Sequence, residues 1–145
     1  MYVLDTNVIS ELRPGKPHQS PEVRAWAARQ TEDQLFLSSI GLLEVEQGVL
    51  RLERRTPSQG SALRLWLDFI RRSFEGRILP FTDAAAVLCA RMHVPDPQPM
   101  RDSIMAATAL SYGFTIVTRN VQDFEDTGVN ILNPWDPTEV GAGPR

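Results

Sequence analysis

A chain of 145 residues, 42% of them hydrophobic, is long enough for one domain with a sizeable core and too apolar to be disordered. Its formal net charge of −3 excludes a broadly basic nucleic-acid footprint, unless several acids are gathered in one site and neutralised by metal. The single cysteine, Cys89, excludes an intramolecular disulfide and a Cys-based zinc site.

Tyr2-Val3-Leu4 is a short apolar run that ends at Asp5 and reads as a buried strand. A helical pattern follows from Thr6 to Leu12 and stops near Arg13-Pro14-Gly15. Pro21 to Arg29 opens a second helix, with Ser20 as N-cap and Pro at the first helical position. Leu35-Phe36-Leu37, ending at Ser38-Ser39, is a second strand. A helix over Ser39 to Arg55 carries Leu42, Val45, Val49 and Leu52 at spacings of three and four. Another, over Ser58 to Phe74, carries Leu63, Trp66, Leu67 and Ile70. Ile78-Leu79 is a third strand, and Thr82 to Met92 a helix whose apolar run places Cys89 in the core. The run from Val94 to Pro99 is a stiff loop. The alanine-rich helix from Asp102 to Ser111 ends at Tyr112-Gly113, a fitting C-cap. Thr115-Ile116-Val117, ending at Thr118, is a fourth strand and Val129 to Leu132 a fifth. No apolar stretch approaches the ~18–20 residues that span a bilayer, and no basic segment followed by an apolar one opens the chain, so a cytoplasmic protein is expected. The expected organisation is a single domain over residues 1–135 and a flexible tail over 136–145.

Short apolar strands alternating with helices imply parallel βαβ units and an α/β domain of three layers, α/β/α, around a small sheet of four or five parallel strands. Ligands of such sheets bind beyond the carboxyl ends of the strands. Asp5, Ser38-Ser39 and Thr118-Arg119-Asn120 occupy those ends. Asp5 there is either a partly dehydrated functional acid or the N-cap of the next helix. Glu44 lies among apolar residues of the third helix, with Gly41 and Gly48 on its own face. Two helical glycines cost roughly 1 kcal/mol each relative to alanine. They imply a close approach to that face, by a ligand site or by a packed helix. Asp102 opens the alanine-rich helix, where it either caps or faces a site. Asn120 and Asp123 follow the fourth strand, where Asx residues also make turns. Carboxylates roughly 5 Å apart repel by about 3 kcal/mol per pair at an effective dielectric of 20, so a cluster of them needs a cation or takes up protons. Oxygen-only ligands suit Mg²⁺ or Mn²⁺.

Leu4-Asp5-Thr6-Asn7-Val8-Ile9-Ser10-Glu11 resembles the opening motif of PIN-domain proteins, especially toxins of the VapC and FitB type. The resemblance continues through Ser39-Ile40 to Glu44, through Gly76 to Phe81, through Asp102 to Ala109, through Thr118 to Phe124 and into Asn133-Pro134-Trp135, nearly the whole chain in order. It implies a PIN-like fold and a ribonuclease using one or two Mg²⁺ or Mn²⁺ ions. It also implies an acidic core of Asp5, Glu44 and Asp102, with Asp123 or Asn120 as the fourth member and Asn7 and Thr118 in support. Arg13, Lys16, Arg91 and Arg119 are candidates for guiding the RNA backbone. The partners it implies are an RNA substrate, an antitoxin of VapB or FitA type and a second copy in a homodimer. Two departures stand out: Asn at position 120, where many relatives have Asp, and the prolines at 95, 97 and 99 before Asp102.

Other readings remain at this level. An aspartyl phosphatase wants a second Asp where Asn7 stands and a lysine near the phosphate, and Lys16, the only lysine, lies in an early loop. A receiver-like phospho-acceptor fails on the same lysine. A housekeeping PIN RNA-processing nuclease, or a non-catalytic PIN module binding RNA or a partner, would share the resemblance. Neither a GxGxxG nor a P-loop competes.

Overall fold

The computed structural model describes residues 1–140. Five strands, β1 (Tyr2–Leu4), β2 (Leu35–Ser38), β3 (Ile78–Leu79), β4 (Thr115–Val117) and β5 (Ile131–Leu132), form one parallel sheet in the order β3-β2-β1-β4-β5. The helices are α1 (Thr6–Glu11), α2 (Pro21–Ala28), α3 (Ser39–Arg55), α4 (Pro57–Ser73), α5 (Asp83–Met92), α6 (Met100–Tyr112) and α7 (Pro137–Val140). Parallel strands are covered on both faces, which is why they read as unbroken apolar runs rather than alternating ones. Successive side chains still point to opposite faces. Val3 and Ile116 pack with Met105, Ala106 and Ala109 of α6, whereas Leu4 and Val117 pack with Val8, Ile9, Val23 and Trp26 of α1 and α2. Trp66 and Ile70 of α4 close that second face. Buried Ala85 and Cys89 of α5 meet Ala107 of α6.

The expected α/β/α architecture and sheet are therefore present, with small shifts at element ends. Helix α4 starts at Pro57, because proline is favoured in a first turn and drives the preceding Thr56 out of the helical region (φ −140°, ψ 82°), so α3 and α4 form a tight hairpin. Helix α6 begins at Met100, two residues before the expected start. Residues 137–140, expected to belong to a flexible tail, form a helical turn: Glu139 Oε2 accepts from Asn133 N at 2.6 Å, and Val140 packs against the Leu4–Val117 face. The remainder of that expected tail, 141–145, lies outside the described residues.

The strand order positions the site. The chain leaves β1 toward β2 and β3 on one side, then crosses to β4 and β5 on the other. The reversal point is between β1 and β4, where open α/β sheets leave a crevice at the strands' carboxyl ends. Leu4 pairs with Val117, and Asp5 N donates to Val117 O at 2.9 Å, so Asp5 and Thr118 emerge side by side at that crevice.

Candidate functional site

Asp5 is both a helix cap and a buried acid. It is the N-cap of α1, its Oδ1 accepting from Thr6 N at 2.7 Å, and its Oδ2 accepts from the Thr118 hydroxyl at 2.8 Å and from Asn7 Nδ2 at 3.4 Å. Thr118 is fully buried. Its oxygen accepts from Asn120 N at 3.0 Å and Asn7 Nδ2 at 3.4 Å, so its one proton is committed to Asp5. Asn7 Oδ1 in turn accepts from Arg119 N at 3.4 Å, which ties the loop after β4 to the first turn of α1. Asp5 is only 8% exposed. Burial raises its pKa, the bonds from Thr118 and Thr6 pull it back, and the charge of Asp123 pushes it further up. Among the described residues, no salt bridge reaches it.

Three other acids surround this one. Glu44, half-buried on α3, is joined to Asp5 through Thr6, whose Oγ1 lies 3.4 Å from Glu44 Oε2 and 3.5 Å from Asp5 Oδ1. Burial and the charge of Asp5 raise the pKa of Glu44, while Arg101 and Thr6 oppose the rise. Asp102 stands in the first turn of α6 and is pushed up to about 6, by burial first and then by Asp123, Asp5 and Glu44. Asp123 is exposed, at the end of a short 3₁₀ turn (Val121–Asp123) after β4. Of the two candidates in that loop, Asp123 contributes charge to Asp5 and Asp102, whereas the observed contribution of Asn120 is its N–H to Thr118. Among the described residues, no three acidic, imidazole or thiol groups stand close enough to enclose an ion unaided.

The expectation that glycine clears the face of Glu44 holds at one position and fails at the other. A Cβ on Gly41 would lie 3.1 Å from Ser38 Oγ and 3.5 Å from Met105 Cε, so what approaches is the protein's own packing. A Cβ on Gly48 would meet nothing within 4 Å.

The chain matches the PIN domain over residues 2–130. It belongs to the PIN-domain family. It is 38% identical to the VapC ribonuclease Y4jK of Sinorhizobium fredii, over 94% of this chain and 99% of that one. It is 32% identical to Toxin FitB of Neisseria gonorrhoeae, over 93% of this chain and 99% of that one. In three dimensions it is similar to the crystal structure of FitAcB from Neisseria gonorrhoeae, with a TM-score of 0.84 at 32% identity, covering 93% of this chain and 99% of that one.

The cations of this PIN domain are distributed unequally around the acids. Lys16 Nζ is bound to Glu11 Oε2 at 2.8 Å. The Arg119 guanidinium lies 5.2 Å above the Trp135 ring and adds its charge to that of Lys16 on Glu11. Arg91 is exposed in the last turn of α5, and Arg13 is half-buried in the loop after α1. Sequence reading overlooked Arg101, whose Nη2 donates to Gln47 Oε1 at 2.6 Å, and Thr6, which joins two acids. It also overlooked His93. His93 Nδ1 accepts from Gln98 N at 3.3 Å, and its Nε2 lies 2.6 Å from Ser103 Oγ, whose hydroxyl donates to Met100 O at 2.9 Å. These bonds tie the loop before α6 to the turn that carries Asp102. The only advance signal for Arg101 was its place beside Asp102, and for His93 its place before a run of prolines.

Proposed function

We propose that this PIN domain is a Mg²⁺- or Mn²⁺-dependent endoribonuclease and the toxin of a toxin-antitoxin pair, silenced by an antitoxin of VapB or FitA type. The observation that carries the reading is Asp5. It is a buried carboxylate with no salt bridge among the described residues, held by neutral donors and surrounded by Glu44, Asp102 and Asp123. Acids that raise one another's pKa are an unfavourable arrangement for a fold by itself and a favourable one for a dication.

The donor set fits such an ion. All four groups are hard oxygens, and Mg²⁺ dehydrates reluctantly, keeping several waters while using one or two carboxylates. Three preassembled protein ligands are therefore not required. Asp5 and Asp102, with Glu44 beside them, would hold the ion. A dication bound there supplies the Lewis acidity that makes water nucleophilic and stabilises charge on the phosphodiester. The chain's own residues set the geometry. Thr118 and Thr6 fix the orientation of the Asp5 carboxylate, Asn7 locks the loop that carries Thr118, and Asp123 and Glu44 increase the negative field at the crevice. In-line attack of water on an RNA phosphodiester leaves a 5′-phosphate and a 3′-hydroxyl without using the 2′-hydroxyl as nucleophile.

The similarity to FitB, and to a structure of FitAcB, supports the partner. Leu43, Leu50, Leu65 and Phe69 of α3 and α4 are exposed apolar side chains, which this reading assigns to contacts with the antitoxin and with a second copy in a homodimer. No helix among the described residues is long and apolar enough to cross a membrane.

The test is incubation of the partner-free protein with labelled structured RNAs and Mg²⁺ or Mn²⁺, beside an EDTA control and Asp5→Ala. Cleavage requiring both metal and Asp5 is the expected result. An intact set of RNAs, together with no Mn²⁺ binding by calorimetry, would sink the catalytic reading.

A further inference from the structure

Four carboxylates repel the polyanion they are proposed to cut, so RNA must be held by cations on the rim of the crevice. Two of the cations near Asp5 are already engaged. Lys16 neutralises a buried carboxylate, that of Glu11, and handing it to RNA would leave that acid uncompensated. The Arg119 guanidinium lies over the Trp135 ring, and its charge adds to the lowering of the same acid's pKa. Arg101 is placed differently. It is exposed, adjacent to Asp102 in the first turn of α6, and reaches across to Gln47 on α3. Gln47 is three residues from Glu44, a spacing that puts both on one face of the helix. The guanidinium thus bridges the two helices that carry Glu44 and Asp102, and Glu44 feels its charge. It makes no salt bridge among the described residues, and one neutral acceptor engages only one of its five N–H donors.

We propose that Arg101 binds a backbone phosphate of the RNA beside the one being cut, and that Gln47 is the positioning residue that aims it. The inference rests on the ribonuclease reading and names the side chain that anchors the substrate of that site. A planar guanidinium held at one corner can present two parallel N–H groups to phosphate oxygens. Because a phosphate carries no base identity, the contact acts alike on all sequences.

The experiment uses the full chain carrying Asp5→Asn, which cannot cut, with a labelled single-stranded RNA and a salt series in Mg²⁺. One lost phosphate contact lowers the slope of log Kd against log salt by about 0.7 for single strands. Adding Arg101→Gln is expected to weaken binding about tenfold at low salt and to reduce the slope by that amount. Arg101→Lys restores the slope, because it restores the charge. Gln47→Leu weakens binding with the slope retained, since the charge is present but not aimed. In the active protein, Arg101→Gln raises KM. A folded Arg101→Gln protein, checked by melting, with unchanged slope and affinity would overturn the assignment and leave the nuclease reading standing. Failure of the unsubstituted protein to cut any of the RNAs and to bind Mn²⁺ would bring down the nuclease reading, and this inference with it.

Discussion

The two ends of α1 each carry a buried carboxylate, and the two are treated in opposite ways. Asp5 and Glu11 are 8% and 6% exposed. Glu11 accepts from Ser20 N at 2.6 Å and pairs with Lys16, so its pKa is lowered, first by the lysine bond and then by the backbone bond. Asp5 has neutral donors on both oxygens and acids beyond them, and its pKa is raised. The contrast shows that burial of an acid does not by itself mark a functional site. The fold supplies Glu11 with its cation, and that acid clamps the loop between α1 and α2. Among the described residues, Asp5 has no cation paired with it.

Substitution should separate the two. Asp5→Asn should lower RNA cleavage at least about a thousandfold, since several kcal/mol of charge stabilisation go with it and each 1.36 kcal/mol is tenfold. Its stability should stay within about 1 kcal/mol of the parent. Relief of repulsion offsets the loss of one acceptor, because an amide oxygen cannot serve both Thr6 N and Thr118. Glu11→Gln should do the reverse. Gln can still accept from Ser20 N but strands Lys16, whose side chain is 29% exposed and therefore screened. The expected cost is about 1–2 kcal/mol, less than for a fully buried pair. Urea unfolding beside initial cleavage rates reads both. A Glu11→Gln protein of full stability but without activity would erase the distinction.

The elements were legible in the sequence where one local rule decided them. Four of the five parallel strands are apolar runs closed by a polar residue (β3 runs into Pro80), and the residues closing β1 and β4, Asp5 and Thr118, are the ones the sheet brings together. Asp102 was legible as a candidate but not as free of capping duty. Helix α6 starts at Met100 behind Pro99, without a side-chain cap, and Asp102 sits inside the first turn facing other acids. What escaped depends on contacts between elements. A Cβ on Gly60 would fall 2.4 Å from Glu53 Cα across the α3–α4 hairpin, a contact no local pattern announces. Gly48 looked meaningful and faces open space. Lys16 looked available to RNA because its pairing with Glu11 spans a loop, where no periodicity announces which side chains meet.

A smaller effect tests how firmly the site, as opposed to the clamp, is held from behind. The loop from Val94 to Pro99 has three prolines, which cannot donate, so Gln98 N and His93 provide much of its attachment. With His93 Nδ1 accepting, Nε2 carries the proton and donates to Ser103, next to Asp102. His93→Ala should reduce cleavage about tenfold by loosening the turn that carries Asp102, and cost about 1 kcal/mol. His93→Gln, which offers both an acceptor and a donor, should recover most of each. Equal cleavage by the Ala and Gln variants would show that the tie does not align the site.

The smallest expected effect is a difference in the sign of pH dependence. Asp102 moves from an ordinary 3.8 to about 6 on folding, so between those values the folded chain holds more proton than the unfolded one. Metal-free stability contributed by this acid must therefore fall as pH rises from about 4 to 6, by about 1 kcal/mol once solvent screening of a half-exposed group is allowed for. Asp5 and Glu44, also raised, act in the same direction. Glu11 acts the other way. Its lowered pKa contributes stability above the ordinary 4.5, and that stability is lost as pH falls through the folded value. Urea midpoints against pH should thus rise to a maximum below neutrality and then decline. Asp102→Asn should flatten the decline, and Glu11→Gln the rise. Saturating Mg²⁺ should reverse the decline, because the ion binds the deprotonated acids and stabilises the folded state by mass action. A metal-free midpoint that climbs steadily from pH 4 to 7 would mean that the acids at the crevice do not burden the fold, and the contrast between the two ends of α1 would lose its physical basis.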